Sequence, residues 1–204
     1  MSSGMNLRII LGSASRTRQA ILKEMGYAFE VETADIDEKA IRKSNAQELV
    51  MALAHAKADA LLARLKVPPP SDDEQVLLIT ADQVVVHEGQ IREKPESAEE
   101  ARLFIEGYGR SPASTVGSVL VTNLRTQKRY GGFDSTEIYF HKIPQEVVES
   151  LIKEGSVYYA AGGLMIENPL VSPLVESVVG TIDSVMGLPK ALTRRLIEEA
   201  LEGS

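Results

Sequence analysis

The order of elements along this chain predicts an α/β fold on a mixed sheet, and three observations predict it. First, the apolar residues 9–11 stop at Gly12-Ser13, and a helical stretch over 19–25 follows, ended by Gly26. Second, Val76-Leu77-Leu78-Ile79-Thr80-Ala81 is a continuous apolar run, suited to a central strand buried on both faces. Third, residues 114–123 and 130–140 are rich in β-formers and are joined by the polar Arg125-Thr126-Gln127-Lys128, which reads as an antiparallel hairpin. A hairpin among α/β units favours a mixed sheet over a purely parallel one.

The remaining elements follow in order. Residues 1–6 form a loose tail ahead of a single domain over 7–204. Phe29-Glu30-Val31-Glu32-Thr33 alternates like a strand. A long helix spans 47–65, with Leu49, Val50, Leu53, Ala54, Leu61, Leu62 and Leu65 near a 3.6-residue period. Pro68-Pro69-Pro70 breaks it, and residues 68–74 form a surface loop. Residues 84–87 continue extended into a turn at Glu88-Gly89-Gln90. Residues 97–107 are a helix with Ser97, Glu99 and Glu100 in the first turn. Pro144 opens a helix that Gly155 ends. Gly162-Gly163 is a turn, 164–166 and 175–179 are short strands or extended pieces, and 189–201 is an amphipathic terminal helix.

Composition narrows the function. The chain has 204 residues, 44% hydrophobic and 25% charged, an ordinary globular balance. At this length it buries roughly 70% of its unfolded surface and needs no staple. It has no cysteine, which excludes thiol catalysis, cysteine-ligated zinc and disulfides and is compatible with the cytosol. The net charge of −7 disfavours broad binding to nucleic acid, while a local basic pocket still accommodates a small polyanion. No run approaches membrane-spanning length and no signal core is present, so the expected chain is soluble and cytoplasmic, with no membrane partner.

Two places carry chemistry. The turn Gly12-Ser13-Ala14-Ser15-Arg16-Thr17-Arg18 sets backbone N–H groups, hydroxyls and two guanidinium forks at a helix N-terminus, a site matched to phosphate. It is neither a Walker loop nor a dinucleotide fingerprint. The alternative is a plain Ser-capped turn with solvated arginines. Asp82 closes the most apolar strand, where α/β sheets place ligands. It is suited to holding a divalent ion or taking a proton from water. The alternative is an aspartate bonding its own turn. Lys94, held at a strand edge by Pro95, and Lys57, among alanines near His55, are weaker candidates that read equally as solvated lysines. Asp35, Asp37 and Glu38 offer oxygens to Mg²⁺ or cap a helix. His55, His87 and His141 lack metal-ligand spacing, and no G-x-S-x-G elbow is present.

Taken together, the ordered set of motifs resembles the Maf family of nucleotide pyrophosphatases, also called septum-formation inhibitors. The set is residues 11–18, Asp37-Glu38, Ala56-Lys57-Ala58, Ala81-Asp82-Gln83-Val84-Val85, Glu93-Lys94-Pro95, Thr136-Glu137-Ile138-Tyr139-Phe140, Ala161-Gly162-Gly163 and Val185-Met186-Gly187-Leu188-Pro189. The likeness runs over about 7–201.

It implies the elongated Maf/ITPase-like arrangement, a mixed sheet with flanking helices and two lobes around a central cleft, commonly as a homodimer. It also implies hydrolysis of a nucleoside triphosphate to the monophosphate and pyrophosphate with Mg²⁺ or Mn²⁺. By the same resemblance Ser13, Arg18, Lys57 and Lys94 bind phosphate, with Ser15 and Arg16 in the same loop. Asp82 accepts the proton, and Glu38 with Asp82 serves the metal.

The chain departs from the family at Arg16-Thr17-Arg18, where Pro-Arg-Arg is common, and at residues 113–117, which lack the usual His-x-Val-x-Thr. Gln83 and Glu167 stand where the uridine and thymidine branch has Thr and Gln, a combination similar to the branch acting on 7-methyl-GTP. That branch commonly has Trp at the Thr17 position. A carboxylate accepts from N1–H and N2–H₂ of a guanine edge together. A regulator of cell division that binds nucleotide without turnover is the competing class.

Overall fold

A computed structural model describes residues 6–65 and 74–203 of the chain. The strands are β1 (Asn6–Leu11), β2 (Phe29–Val31), β3 (Glu74–His87), β4 (Gln90–Arg92), β5 (Ala113–Asn123), β6 (Arg129–Phe140) and β7 (Val175–Val179). The helices are α1 (Arg16–Glu24), α2 (Ala46–Arg64), α3 (Ala98–Tyr108), α4 (Gln145–Glu154), α5 (Ile182–Val185) and α6 (Lys190–Glu202). The strands form one seven-stranded sheet in the order β2-β1-β3-β5-β6-β7, with β4 paired to β3. β1 runs parallel to β2 and β3, whereas β4 is antiparallel to β3 and β7 to β6, so the sheet is mixed as expected. Adjacent β5 and β6 are joined by residues 124–128, a connection only a hairpin can close.

Three expectations need correction. Asp82 does not close the central strand, because β3 continues past it to His87. Asn6 does not belong to the tail, because it pairs with Glu74 at the start of β1. Helix α1 opens at Arg16, not at 19, because Ser15 caps it by accepting from the Arg18 amide. Of the short strand or extended piece expected over 164–166, Leu164 is extended and Ile166 begins a turn that Asn168 closes onto Met165. The proposed loop over 68–74 falls outside the described residues except for Glu74, which is strand.

The chain divides into two compact units. The first holds residues up to Asp82 with 117–134 and 187–204, and the second holds 83–116 and 135–186. In the first unit the predicted central strand is fully sequestered, with Val76, Leu77, Leu78 and Ile79 all at 0% exposure. Val76 and Leu78 pack with Ile10 and Leu120 against Ala54, Ala58 and Leu61 of α2. The i, i+4, i+7 spacing of those three places them on one helix face. Small side chains there bring α2 close enough for strand hydroxyls to reach its backbone. Thr80 Oγ1 donates to the Ala54 carbonyl at 2.8 Å and Ser118 Oγ to that of Val50 at 2.7 Å. In the second unit Ala101, Ile105 and Tyr108 of α3 meet Val148 and Leu151 of α4 and Ile138 and Phe140 of β6.

Candidate active site

Lys57 is the centre of the first unit's polar cluster. Thr80 is tied to Ala54, which stands one helical turn before Lys57 on α2. Asp82, two residues after Thr80 along β3, projects from the same strand face. Lys57 Nζ therefore meets Asp82 Oδ2 at 3.1 Å, and it meets Glu38 Oε1 at 3.0 Å. The Lys57 and Asp82 side chains are each 12% exposed, so the pair is shielded from water and screened little by salt. Glu38 comes from a 3₁₀ turn (Glu38–Ala40) that Asp37 caps by accepting from the Lys39 amide. The structure thus divides the acidic cluster. Glu38 turns to the lysine, Asp37 caps, and Asp35 is exposed.

Arg18 reaches the same cluster from α1. Its Nε donates to the Gly187 carbonyl at 2.9 Å, and its Nη1 to the Ala81 carbonyl at 3.1 Å and to Ser13 Oγ at 3.5 Å. Burial lowers the pKa of this guanidinium below its ordinary value, and the charges of Asp82 and Glu38 oppose that. The fork holds the fold together beside the acids, a second task that the sequence reading did not foresee. Gly187 adopts φ +99°, a left-handed conformation that suits glycine, which explains its place in the motif. Gly12 is needed for close approach, since a Cβ there would stand 2.7 Å from Leu61 Cδ1 and 2.8 Å from Thr80 Cγ2. Buried Ser13 accepts from the Ser15 amide, and Ser15 and Thr17 share a hydroxyl hydrogen bond of 2.8 Å. Arg16 is exposed on the first turn of α1.

The other candidates belong to the second unit. Lys94 is exposed, between half-buried Glu93 and buried Pro95. Its segment is anchored by Gly162, whose amide donates to the Glu93 carbonyl at 2.8 Å. The Gly162 carbonyl accepts from Tyr108 Oη at 2.7 Å. Gly162 has φ +62°, and a Cβ there would meet Tyr108 Oη at 2.5 Å and Val85 Cβ at 2.8 Å. Tyr108 and Gly162 support the segment that carries Lys94; Gly162 stood in the motif set without a role, and nothing in the sequence marked Tyr108. Gln83 Nε2 donates to the Ser184 and Val185 carbonyls at 3.1 and 3.0 Å, so it braces the end of α5. Glu167 is exposed on a turn.

Among the described residues no group of three His, Asp or Glu side chains is arranged to hold a metal. Glu38 and Asp82 nonetheless converge on a single cation, the Lys57 ammonium. Two carboxylates suit Mg²⁺ when phosphate oxygens complete its shell. Among the described residues no helix is long and apolar enough to cross a membrane.

An aspartate within β3 paired to a helix lysine, beside an arginine at a Ser-capped helix start, is an arrangement suited to phosphate. A family model described as Maf-like protein matches residues 8–200, and the chain belongs to the Maf family. It is 41% identical over 191 residues to a Dictyostelium discoideum protein named 7-methyl-GTP pyrophosphatase, covering 94% of this chain and 96% of that one. A Salinispora tropica protein named nucleoside triphosphate pyrophosphatase is 32% identical over 200 residues, covering 98% of this chain and 86% of that one. A Vibrio vulnificus protein named dTTP/UTP pyrophosphatase is 29% identical over 192 residues, covering 94% and 98% respectively.

Proposed function

We propose that this chain hydrolyses nucleoside triphosphates to the monophosphate and pyrophosphate, a hydrolase acting on an acid anhydride, with 7-methyl-GTP as its preferred substrate. The activity is the one shared by the names of its relatives, and the substrate is that of the Dictyostelium protein. The observation that carries the reading is Lys57 Nζ held between Glu38 and Asp82. Arg18 and Lys57 balance Glu38 and Asp82, so the cluster is formally neutral before substrate arrives. A triphosphate adds several negative charges, which Lys94, Arg16 and a divalent cation would offset.

Asp82 orients the attacking water and takes its proton. The water oxygen bonds to the α-phosphorus as the bond to the bridging oxygen breaks, and pyrophosphate leaves with that electron pair. Arg18, Lys57 and Lys94 stabilise the charge that builds on the phosphoryl oxygens and the leaving group. Ser13, Ser15 and the α1 amides receive phosphate at the helix start. Glu38 and Asp82 would hold Mg²⁺ or Mn²⁺, which supplies Lewis-acid stabilisation of that charge when bound. Glu167 accepts from the guanine edge, while Gln83 and Thr17 tune base choice.

A hydrolysis screen with Mg²⁺ and Mn²⁺ over 7-methyl-GTP, GTP, dITP, UTP, dTTP and CTP, separating pyrophosphate from orthophosphate, tests this. Pyrophosphate led by 7-methyl-GTP is the expected result. Release led by UTP or dTTP keeps the enzyme and removes the base assignment. Orthophosphate as the first product, or nucleotide binding without turnover, overturns the activity.

A further inference from the structure

We infer that Asn168 is a positioning residue for base selection, holding rigid the turn that presents Glu167. The inference rests on the reading of Glu167 given above. Asn168 is 6% exposed, and each of its polar atoms has a partner. Its amide donates to the Met165 carbonyl at 3.1 Å, and its own carbonyl accepts from Val171 and Ser172 at 2.8 and 2.9 Å. Its Oδ1 accepts from the Leu170 amide at 2.9 Å, and its Nδ2 donates to the Glu154 carboxylate at 3.2 Å. The neighbours divide by face: Ile166 and Val171 are each 7% exposed and pack into the second unit's core, whereas Glu167 points to solvent.

Glu154 is the independent half of the argument. It is the last residue of α4, where Gly155 at φ +83° turns the chain away. A carboxylate at a helix C-terminus faces the negative end of the dipole and is disfavoured there. Here it receives the Asn168 amide and the Ser156 hydroxyl, the latter at 3.1 Å. An acid kept at the wrong end of a helix, with its donors aimed at it, is a built clamp between α4 and the turn. The result is an exposed carboxylate on a backbone tied on both sides by hydrogen bonds, as recognition of a base edge requires.

The test breaks the Asn168–Glu154 bond and then restores it. Asn168→Asp keeps the acceptor for Leu170 and replaces the donor to Glu154 with a like charge. Glu154→Gln alone keeps an acceptor for Asn168 and is expected to behave as wild type. Asn168→Asp combined with Glu154→Gln restores the bond with donor and acceptor exchanged.

For each variant, kcat and KM are measured with 7-methyl-GTP and with UTP, alongside the melting temperature. We expect Asn168→Asp to lower the ratio of kcat/KM for the two substrates by roughly tenfold or more, mainly through KM for 7-methyl-GTP, and the double variant to regain it. An unchanged ratio in Asn168→Asp overturns the inference. So does a loss that the double variant fails to recover. Glu167→Gln separates the two layers. If it changes the ratio and Asn168→Asp does not, only the positioning role falls. If Glu167→Gln leaves the ratio unchanged, the base assignment falls and the positioning role with it.

Discussion

The two units hold their candidate site residues by opposite means. In the first, Lys57 and Asp82 are shielded, Glu38 closes on them from a more exposed position, and Arg18 is fixed by carbonyl contacts beside them. In the second, Lys94 and Glu167 are exposed, and the backbone beneath them is clamped instead, by Gly162 with Tyr108 and by Asn168 with Glu154. Charged groups in a shielded cluster are part of the fold as well as the chemistry, because losing one strands its partner. Exposed groups on a braced turn separate the two, so their removal touches function alone.

The largest expected effect is that of Asp82→Asn, which removes the proposed proton acceptor and should lower kcat by about 10²–10⁴-fold with nucleotide affinity retained. Single-turnover rates beside nucleotide titration check it, and an unchanged kcat would strip Asp82 of its role. Next, Lys57→Ala and Lys94→Ala should part company. Each should cost about 10²–10³-fold in kcat, as loss of a charge-stabilising donor does. Only Lys57→Ala should also lower the melting temperature, because Glu38 and Asp82 lose their shared cation. Equal melting temperatures in both variants would break the contrast between the units.

Gly162→Ala tests the backbone clamp. A Cβ 2.5 Å from Tyr108 Oη, at a positive φ, should destabilise by about 1–3 kcal/mol and displace the Glu93-Lys94-Pro95 segment. Urea unfolding measures the first effect and the rate measures the second. The smallest effect is a pH dependence. Burial, aided by Arg92, lowers the pKa of His87 below its ordinary value of 6.5. The folded chain therefore holds this imidazole neutral where the unfolded chain protonates it. Stability should be full above pH 6.5 and fall as pH drops through and below it. His87→Gln, able to keep a bond to Ser111, should flatten that part of the stability curve; an unchanged slope refutes the assignment.

Legibility in the sequence followed periodicity and end signals. The long helix and the buried strand through Thr80 stood out because their apolar spacing is set by burial. The start of α1 did not, because its first turn, Arg16-Thr17-Arg18, is polar and adds nothing to the apolar pattern; only Ser15 as cap marked it. Asn6 was lost to the tail since a polar residue at a strand end carries no signal until its partner Glu74 is known. Residues 164–166 stayed open between strand and extended piece because short apolar runs do not distinguish a strand from a turn packed on a core.

By itself the sequence determined the mixed α/β class, the phosphate-suited helix start and the Maf resemblance, since these depend on local order and residue type. The tertiary structure alone decided which of Asp35, Asp37 and Glu38 faces Lys57, that Arg18 braces Ala81 and Gly187, and that Gly162 and Asn168 carry the exposed Lys94 and Glu167. The reason is distance along the chain. Lys57 and Asp82 are brought together by a helix laid on a strand, and Arg18 and Gly187 lie still further apart in sequence. No local pattern encodes which side chain will arrive from the other side of a fold.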